Sequence, residues 1–388
     1  MRIVVAPDSF KGTVSAVGAA NAIEKGIKRV FFDAEVIKMP IADGGEGTVE
    51  ALVTATNGQI VYQDVIGPLG HRTKAFWGIM GDGETAVIEM AAASGLPLLP
   101  EGQKNPLITT TLGTGELIKA ALDRGLRNII IGIGGSATND GGSGMAQALG
   151  VKFLDAEGKE LSYGGAALAN LDRVDISGLD ERLKDTRVMV ACDVDNPLCG
   201  PKGASAVYGP QKGASPEMIA QLDAALRHFA AKVQKATGKD VAEKPGAGAA
   251  GGLGAGLLFF TEAELRPGVE IVLEAIGFEE TVKPAQLVIT GEGRTDFQTA
   301  FGKAPVGVAK LAQKYNVPVL CIAGGLGQGH KEVLKHGIDG VTSIVPGPMT
   351  LEECSELGAE LIEDGVERLC NIVKVGMNMK RGRCAEEG

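Results

Sequence analysis

Short apolar runs alternate along this chain with glycine-rich polar loops and with stretches of helical spacing. Six of those runs break directly into a loop carrying carboxylates, hydroxyls or a lysine. Val4 and Val5 lead into Ala6-Pro7-Asp8-Ser9-Phe10-Lys11-Gly12, and residues 37–41 into Ala42-Asp43-Gly44-Gly45-Glu46-Gly47-Thr48. Residues 129–133 lead into Gly134-Gly135-Ser136-Ala137-Thr138-Asn139-Asp140, and residues 188–191 into Cys192-Asp193-Val194-Asp195-Asn196. Residues 287–290 lead into Gly291-Glu292-Gly293-Arg294-Thr295-Asp296, and residues 319–323 into Gly324-Gly325-Leu326-Gly327. Apolar runs of this length, bounded by turn residues and followed by helical periodicity, predict buried parallel strands.

Helices are predicted over residues 14–30, from a cap at Thr114 to Gly125, and from Ser215-Pro216 to Gly238. The third carries Ile219, Leu222, Leu226, Phe229 and Val233 on one stripe. A further helix opens at Pro305, and a last one covers 351–373. Both ends of the chain read as strand–helix–strand. The middle is less regular, with an alternating stretch at 73–80 and a glycine-rich run at 246–256 that suggest a mixed sheet with loops. The predicted fold is α/β with two domains. A Rossmann-like parallel-sheet domain over 1–62 plus 281–376 is interrupted by a mixed-sheet α/β domain over 63–280, and residues 377–388 form a loose tail.

Composition narrows the function. The chain has 388 residues, of which 57 are glycine, placed between periodic segments as turns and close-approach loops. A formal net charge of −10 argues against nucleic-acid and anionic-membrane partners, so any anionic substrate must be attracted by local groups. The six cysteines form no CxxC pair, which suits reduced thiols in the cytoplasm. No signal peptide or membrane-spanning run is visible, and the four histidines show no partner pattern.

In open α/β sheets ligands bind beyond the carboxyl ends of the strands. Glycine lets backbone amides reach an anion, and carboxylates hold a metal or take a proton. The loops therefore suggest an enzyme handling a phosphate with a divalent cation. Gly134, Gly135, Ser136, Ala137 and Thr138 offer amides for a phosphate, although residues 132–137 also match a relaxed dinucleotide fingerprint, and a tight packing turn explains them equally. Asp43 and Glu46 can ligate Mg²⁺, or Asp43 can cap the helix near Thr48. Asp193 and Asp195 can divide base and metal roles, or form a local turn with Asn196. Arg294 offers a fork for a carboxylate or phosphate beside Glu292 and Asp296, which can also form an internal ion pair. Lys11, Lys202 and Lys212 can neutralise phosphate. No Walker A sequence, protein-kinase catalytic loop or Gly-x-Ser-x-Gly elbow is present.

The same loops, with Tyr208-Gly209-Pro210-Gln211-Lys212-Gly213-Ala214, residues 248–254 and Gln298-Thr299, closely resemble the glycerate kinase type 1 family, in order over about residues 1–375. The resemblance implies two α/β domains with the active site in a cleft between them. It implies ATP and D-glycerate as substrates, Mg²⁺ as cofactor, and 2-phosphoglycerate and ADP as products. A homodimer is left open. On this reading the ATP phosphates rest on the 134–138 amides with Lys11 assisting. Asp43, Asp193 or Glu292 holds Mg²⁺, Arg294 grips the glycerate carboxylate, and Asp296 or Asp193 orients the hydroxyl or takes its proton. A dinucleotide-dependent hydroxy-acid oxidoreductase and a non-catalytic hydroxy-acid sensor are the rival readings.

Overall fold

The computed structural model describes the backbone of residues 1–384 and the side chains of residues 1–379. In chain order the strands are β1 (Arg2–Pro7), β2 (Glu35–Lys38), β3 (Gln59–Ile66), β4 (Arg72–Ile79), β5 (Thr85–Glu89), β6 (Asn128–Gly132), β7 (Lys152–Leu154), β8 (Arg173–Asp175), β9 (Arg187–Ala191), β10 (Ala263–Arg266), β11 (Leu287–Thr295), β12 (Val319–Leu326) and β13 (Gly340–Ser343). They are divided between two compact units. The first comprises Met1–Asp43, Glu50–Ala55 and the chain from Val272 onward; the second comprises Gly44–Val49 and Thr56–Ile271. The chain thus enters the second unit briefly at Gly44–Val49 and stays in it from Thr56, ahead of the expected 62/63, where β3 pairs along its whole length with β4 of that unit.

The first unit is built on a five-stranded parallel sheet in the order β13-β12-β11-β1-β2. Alternate residues Ile3, Val5, Leu287 and Ile289 face one core with Ile23, Ile27, Ile362 and Val366 from the helices Ala16–Val30 and Gly358–Cys384. Ser15 starts the first of these helices by accepting the Gly18 amide. Helix Ala304–Gln313 packs against β1 and β11 with Val308, Ala309 and Ala312 buried. From β1 the chain moves to β2 on one side. From β11 it moves to β12 and β13 on the other, so the strand order reverses at the β1–β11 pair. Open parallel sheets bind ligands beyond the carboxyl ends at such a reversal.

The second unit holds a six-stranded mixed sheet, β10-β9-β6-β5-β4-β3. Its first four strands are parallel, and β4 and β3 run antiparallel. Trp77, Ile88, Leu117 and Ile131 belong to its main core, while Phe153, Phe229, Phe259 and Phe260 gather in a second one beside the β7–β8 pair. Helix Pro216–Thr237 starts on Ser215 and stops at Gly238, which takes φ 73°.

Three local expectations need correction. The helix expected from Thr114 begins at Leu112, because Thr111 fixes the preceding turn by donating its amide and hydroxyl to Asp140. Residues 246–256 do not form strands. They enter the helix Ala249–Phe260, broken by left-handed backbone at Ala250, Gly251 and Gly252. The last predicted helix is two, Leu351–Glu356 and Gly358–Cys384. Helix thus continues through the stretch expected to be loose from 377 as far as Cys384, and residues 385–388 lie outside the described residues. Among the described residues no helix is long and apolar enough to cross a membrane.

Candidate functional site

A cavity of about 420 Å³ opens where the first sheet reverses, lined wholly by residues of the first unit. Asp8, Ser9, Phe10 and Lys11 enter it from the end of β1, Glu292, Gly293 and Arg294 from β11, and Gly324 and Gly325 from β12. Asp43 and Lys303 also line it. The loop after β1 is held locally. Phe10 is buried, its amide donates to the Val14 carbonyl, and Thr13 and Val14 return amides to the Phe10 carbonyl. Gly12 completes this turn at φ 78°, leaving Lys11 exposed at its tip. A side chain at Gly293 would press on Phe10 and Lys11, and one at Gly324 would stand 2.5 Å from the Gly293 carbonyl oxygen. Glycine there lets the β1 loop, β11 and β12 close up at one end of the sheet.

The acids of this cavity are unusually placed. The Asp8 carboxyl accepts the Ser9 amide at 2.6 Å. Burial, reinforced by Asp43, nevertheless pushes its pKa up to about 7. Glu292 is buried and also pushed up by burial. It accepts hydroxyl bonds from Thr295 (3.0 Å) and Thr299 (2.7 Å), while Lys303 opposes the shift. Lys303 occupies the cap position of the helix Ala304–Gln313. Arg294 is largely exposed, and its Nε faces an Asp296 carboxylate oxygen at 3.5 Å. Asp296 itself is not among the cavity-lining residues; its carboxylate accepts the Gln298 amide.

The remaining candidates lie in the second unit. The polar tips of β5, β6 and β9 are packed closely there. A Cβ on Gly44 would stand 2.3 Å from that of Ala191, and one on Gly132 would stand 2.3 Å from the Gly44 carbonyl oxygen. Of residues 134–138, Gly134 and Gly135 are exposed, whereas Ser136, Ala137 and Thr138 are buried. The Ala137 amide donates to the Ser94 carbonyl, and Ser136 bridges to Gly95. The following helix, Ser143–Ala148, starts well past these glycines. Asp155 is a turn residue that accepts the Glu157 and Lys159 amides. Neither observation favours a dinucleotide. Asp193 is exposed and accepts the Gly268 amide at the start of the helix Gly268–Ala275; Asp195 and Glu46 are exposed. Asn196 serves the turn, bonded to the Lys202 carbonyl and to the Tyr208 hydroxyl. Lys212 is buried, donates to the Thr138 carbonyl at 2.6 Å, and has its pKa lowered by burial to about 7. His228 bonds the Leu171 carbonyl from the amphipathic helix.

The sequence offers Asp8 only as part of a motif, and Lys303 is not among the candidates read from it. The available signals were a carboxylate at the tip of a predicted parallel strand and a lysine just before a predicted helix.

Among the described residues no three His, Cys, Asp or Glu side chains are grouped to hold a metal by themselves. Asp8, Asp43 and Glu292 line one cavity; a Mg²⁺ ion needs only one or two carboxylates, with phosphate oxygens and water completing its shell.

Residues 3–374 match the model of the glycerate kinase family. The chain is 57% identical to a glycerate kinase of Bacillus subtilis (strain 168), over 98% of this chain and 99% of the relative. It is 56% identical to a glycerate 2-kinase of Escherichia coli (strain K12), over 91% and 93%. A crystal structure of a candidate glycerate kinase 2 from Salmonella typhimurium LT2 superposes with a TM-score of 0.90 at 52% identity, covering 97% of this chain and 99% of the other.

Proposed function

Because this chain belongs to the glycerate kinase family, we propose that it transfers the terminal phosphoryl group of ATP to D-glycerate, at the 2-hydroxyl, giving 2-phosphoglycerate and ADP. The observation that carries the reading is the single cavity holding Asp8, Asp43 and Glu292 together with Lys11, Arg294 and Lys303. Phosphoryl transfer asks a protein for positioning and charge neutralisation, and this set supplies both. The name of the Escherichia coli relative supports the 2-hydroxyl.

Asp43 and Glu292 would hold Mg²⁺, which when bound neutralises charge on the phosphates. Lys11 and Lys303 neutralise the remaining phosphate charge. Arg294 pairs with the glycerate carboxylate, and Asp296, which does not line the cavity, steadies its guanidinium. Asp8 accepts the hydroxyl proton. A carboxylate raised to about 7 suits this work near neutral pH, where such help is worth roughly 10²–10⁴-fold.

Phosphorus NMR of the product from D-glycerate, ATP and Mg²⁺ tests activity and position together. A 2-phosphoglycerate resonance with stoichiometric ADP is expected. 3-Phosphoglycerate would overturn the regiochemistry, and no ADP would overturn the kinase reading.

A further inference from the structure

We infer that the adenine end of the phosphoryl donor lies in the first unit, on an apolar wall of the same cavity, with its phosphates running toward Lys11 and Lys303; this rests on the kinase reading above. Beside its charged groups the cavity is lined by six apolar side chains, Phe10, Ile344, Val345, Leu351, Cys354 and Leu361. Phe10, Ile344 and Leu361 belong to the unit's core, with Val345 and Cys354 packed at its edge. Leu351 is 81% exposed at the rim. Glycerate carries oxygen on every carbon and gains nothing from such a wall. A nucleobase is flat and apolar on both faces, and each Å² it covers contributes about 25 cal/mol. A volume near 420 Å³ also falls in the range that holds ligands much larger than a three-carbon acid.

Two glycines sharpen the assignment. Gly324 is bare because the Gly293 carbonyl packs against it. Gly325 has nothing within 4 Å of where a Cβ would stand, and its φ is not positive. Neither packing nor backbone conformation demands glycine at 325, yet that position lines the cavity. Empty space kept clear by a bare strand is space for a ligand. At the charged end, Lys303 caps a ten-residue helix, whose positive terminus adds to the attraction for phosphate.

The test uses the full chain and two variants chosen to fold. In Gly325→Leu a side chain enters open space, and in Leu351→Glu the change is on an exposed residue. The ATP KM is expected to rise by at least about tenfold in the first and about threefold in the second. Glycerate KM should stay within about twofold, and thermal midpoints should match the parent. Photolabelling with azido-ATP and magnesium should mark residues 344–361. A raised glycerate KM with an unchanged ATP KM would overturn the placement, as would labelling confined to residues 132–142. If the parent turns over and neither variant moves the ATP KM, the placement fails alone. If the parent releases no ADP, the kinase reading fails first.

Discussion

At the tip of β12 in the first unit Gly325 leaves room, although Gly293 and Gly324 beside it pack against backbone; at the tip of β6 and along residues 246–256 of the second, glycine lets backbone touch backbone. Gly325 faces open space. In contrast, a Cβ at Gly251 would stand 1.9 Å from the Thr138 carbonyl oxygen, and those at Gly252, Gly142 and Gly256 would press on Gly141, Gly256 and Gly142 within about 3 Å. Topology explains the difference. The first sheet reverses its order at β1–β11, and a crevice follows. The parallel part of the second runs β5, β6, β9, β10 without a reversal, and there Gly132, Gly251 and Gly252 close on neighbouring backbone or side chains. A glycine-rich loop after a parallel strand therefore has two meanings, and the strand order tells them apart.

The contrast is broken most sharply by adding one methyl group. Gly251→Ala combines a φ of 69° with a clash against backbone, and a loss of about 3–5 kcal/mol is expected. Gly325→Ala meets nothing, and its denaturant midpoint should match the parent within about 0.5 kcal/mol. A folded, fully stable Gly251→Ala would remove the packing account of the second unit's glycines.

Carboxylates extend the comparison to chemistry. Glu292→Gln keeps the two threonine hydroxyl bonds within reach but weakens the hold on Mg²⁺. It should lower kcat/KM by at least about 100-fold. Asp193→Asn retains an oxygen for the Gly268 amide and should cost under about tenfold. The reverse ranking would move the metal chemistry to the second unit.

Asp8 supplies the pH dependence. Its carboxyl is pushed up to about 7 in the folded chain against 3.8 ordinarily. Folding therefore favours the protonated form. The stabilising contribution is complete below pH 3.8 and is lost as pH rises through about 7. Without metal, thermal stability should fall between pH 5 and pH 8 in the parent and fall less in Asp8→Asn, as calorimetry at several pH values would read. In the kinase assay the acid limb of kcat/KM should lie near 7 and vanish in the variant. A limb that persists in Asp8→Asn belongs to another group.

Much of this was legible in the chain. The strand β11 and its Gly291-Glu292-Gly293 tip follow from an apolar run entering glycines, and helix Pro216–Thr237 from Ser215, Pro216 and its three-and-four spacing. Residues 246–256 misled because Gly251 and Gly252 carry no periodicity, and their helix exists only through close packing on 138–142. Asp8 could not be ranked above Asp296 from spacing. Its raised pKa comes from burial and from Asp43, thirty-five positions away in sequence but close in space.

That ranking is settled by the smallest expected effect. The sequence made Asp296 a proton acceptor, for which Asp296→Asn should cut kcat by more than about tenfold. The structure places its carboxylate on the Gln298 amide and 3.5 Å from an Arg294 side chain that is 70% exposed, and Asp296 does not itself line the cavity. Exposed pairs of this kind contribute about 0.2–1 kcal/mol. Asp296→Asn should then raise the glycerate KM by only about two- to fivefold and leave kcat unchanged. Arg294→Ala should raise it further. A fall in kcat with glycerate KM untouched would return the proton to Asp296 and take it from Asp8.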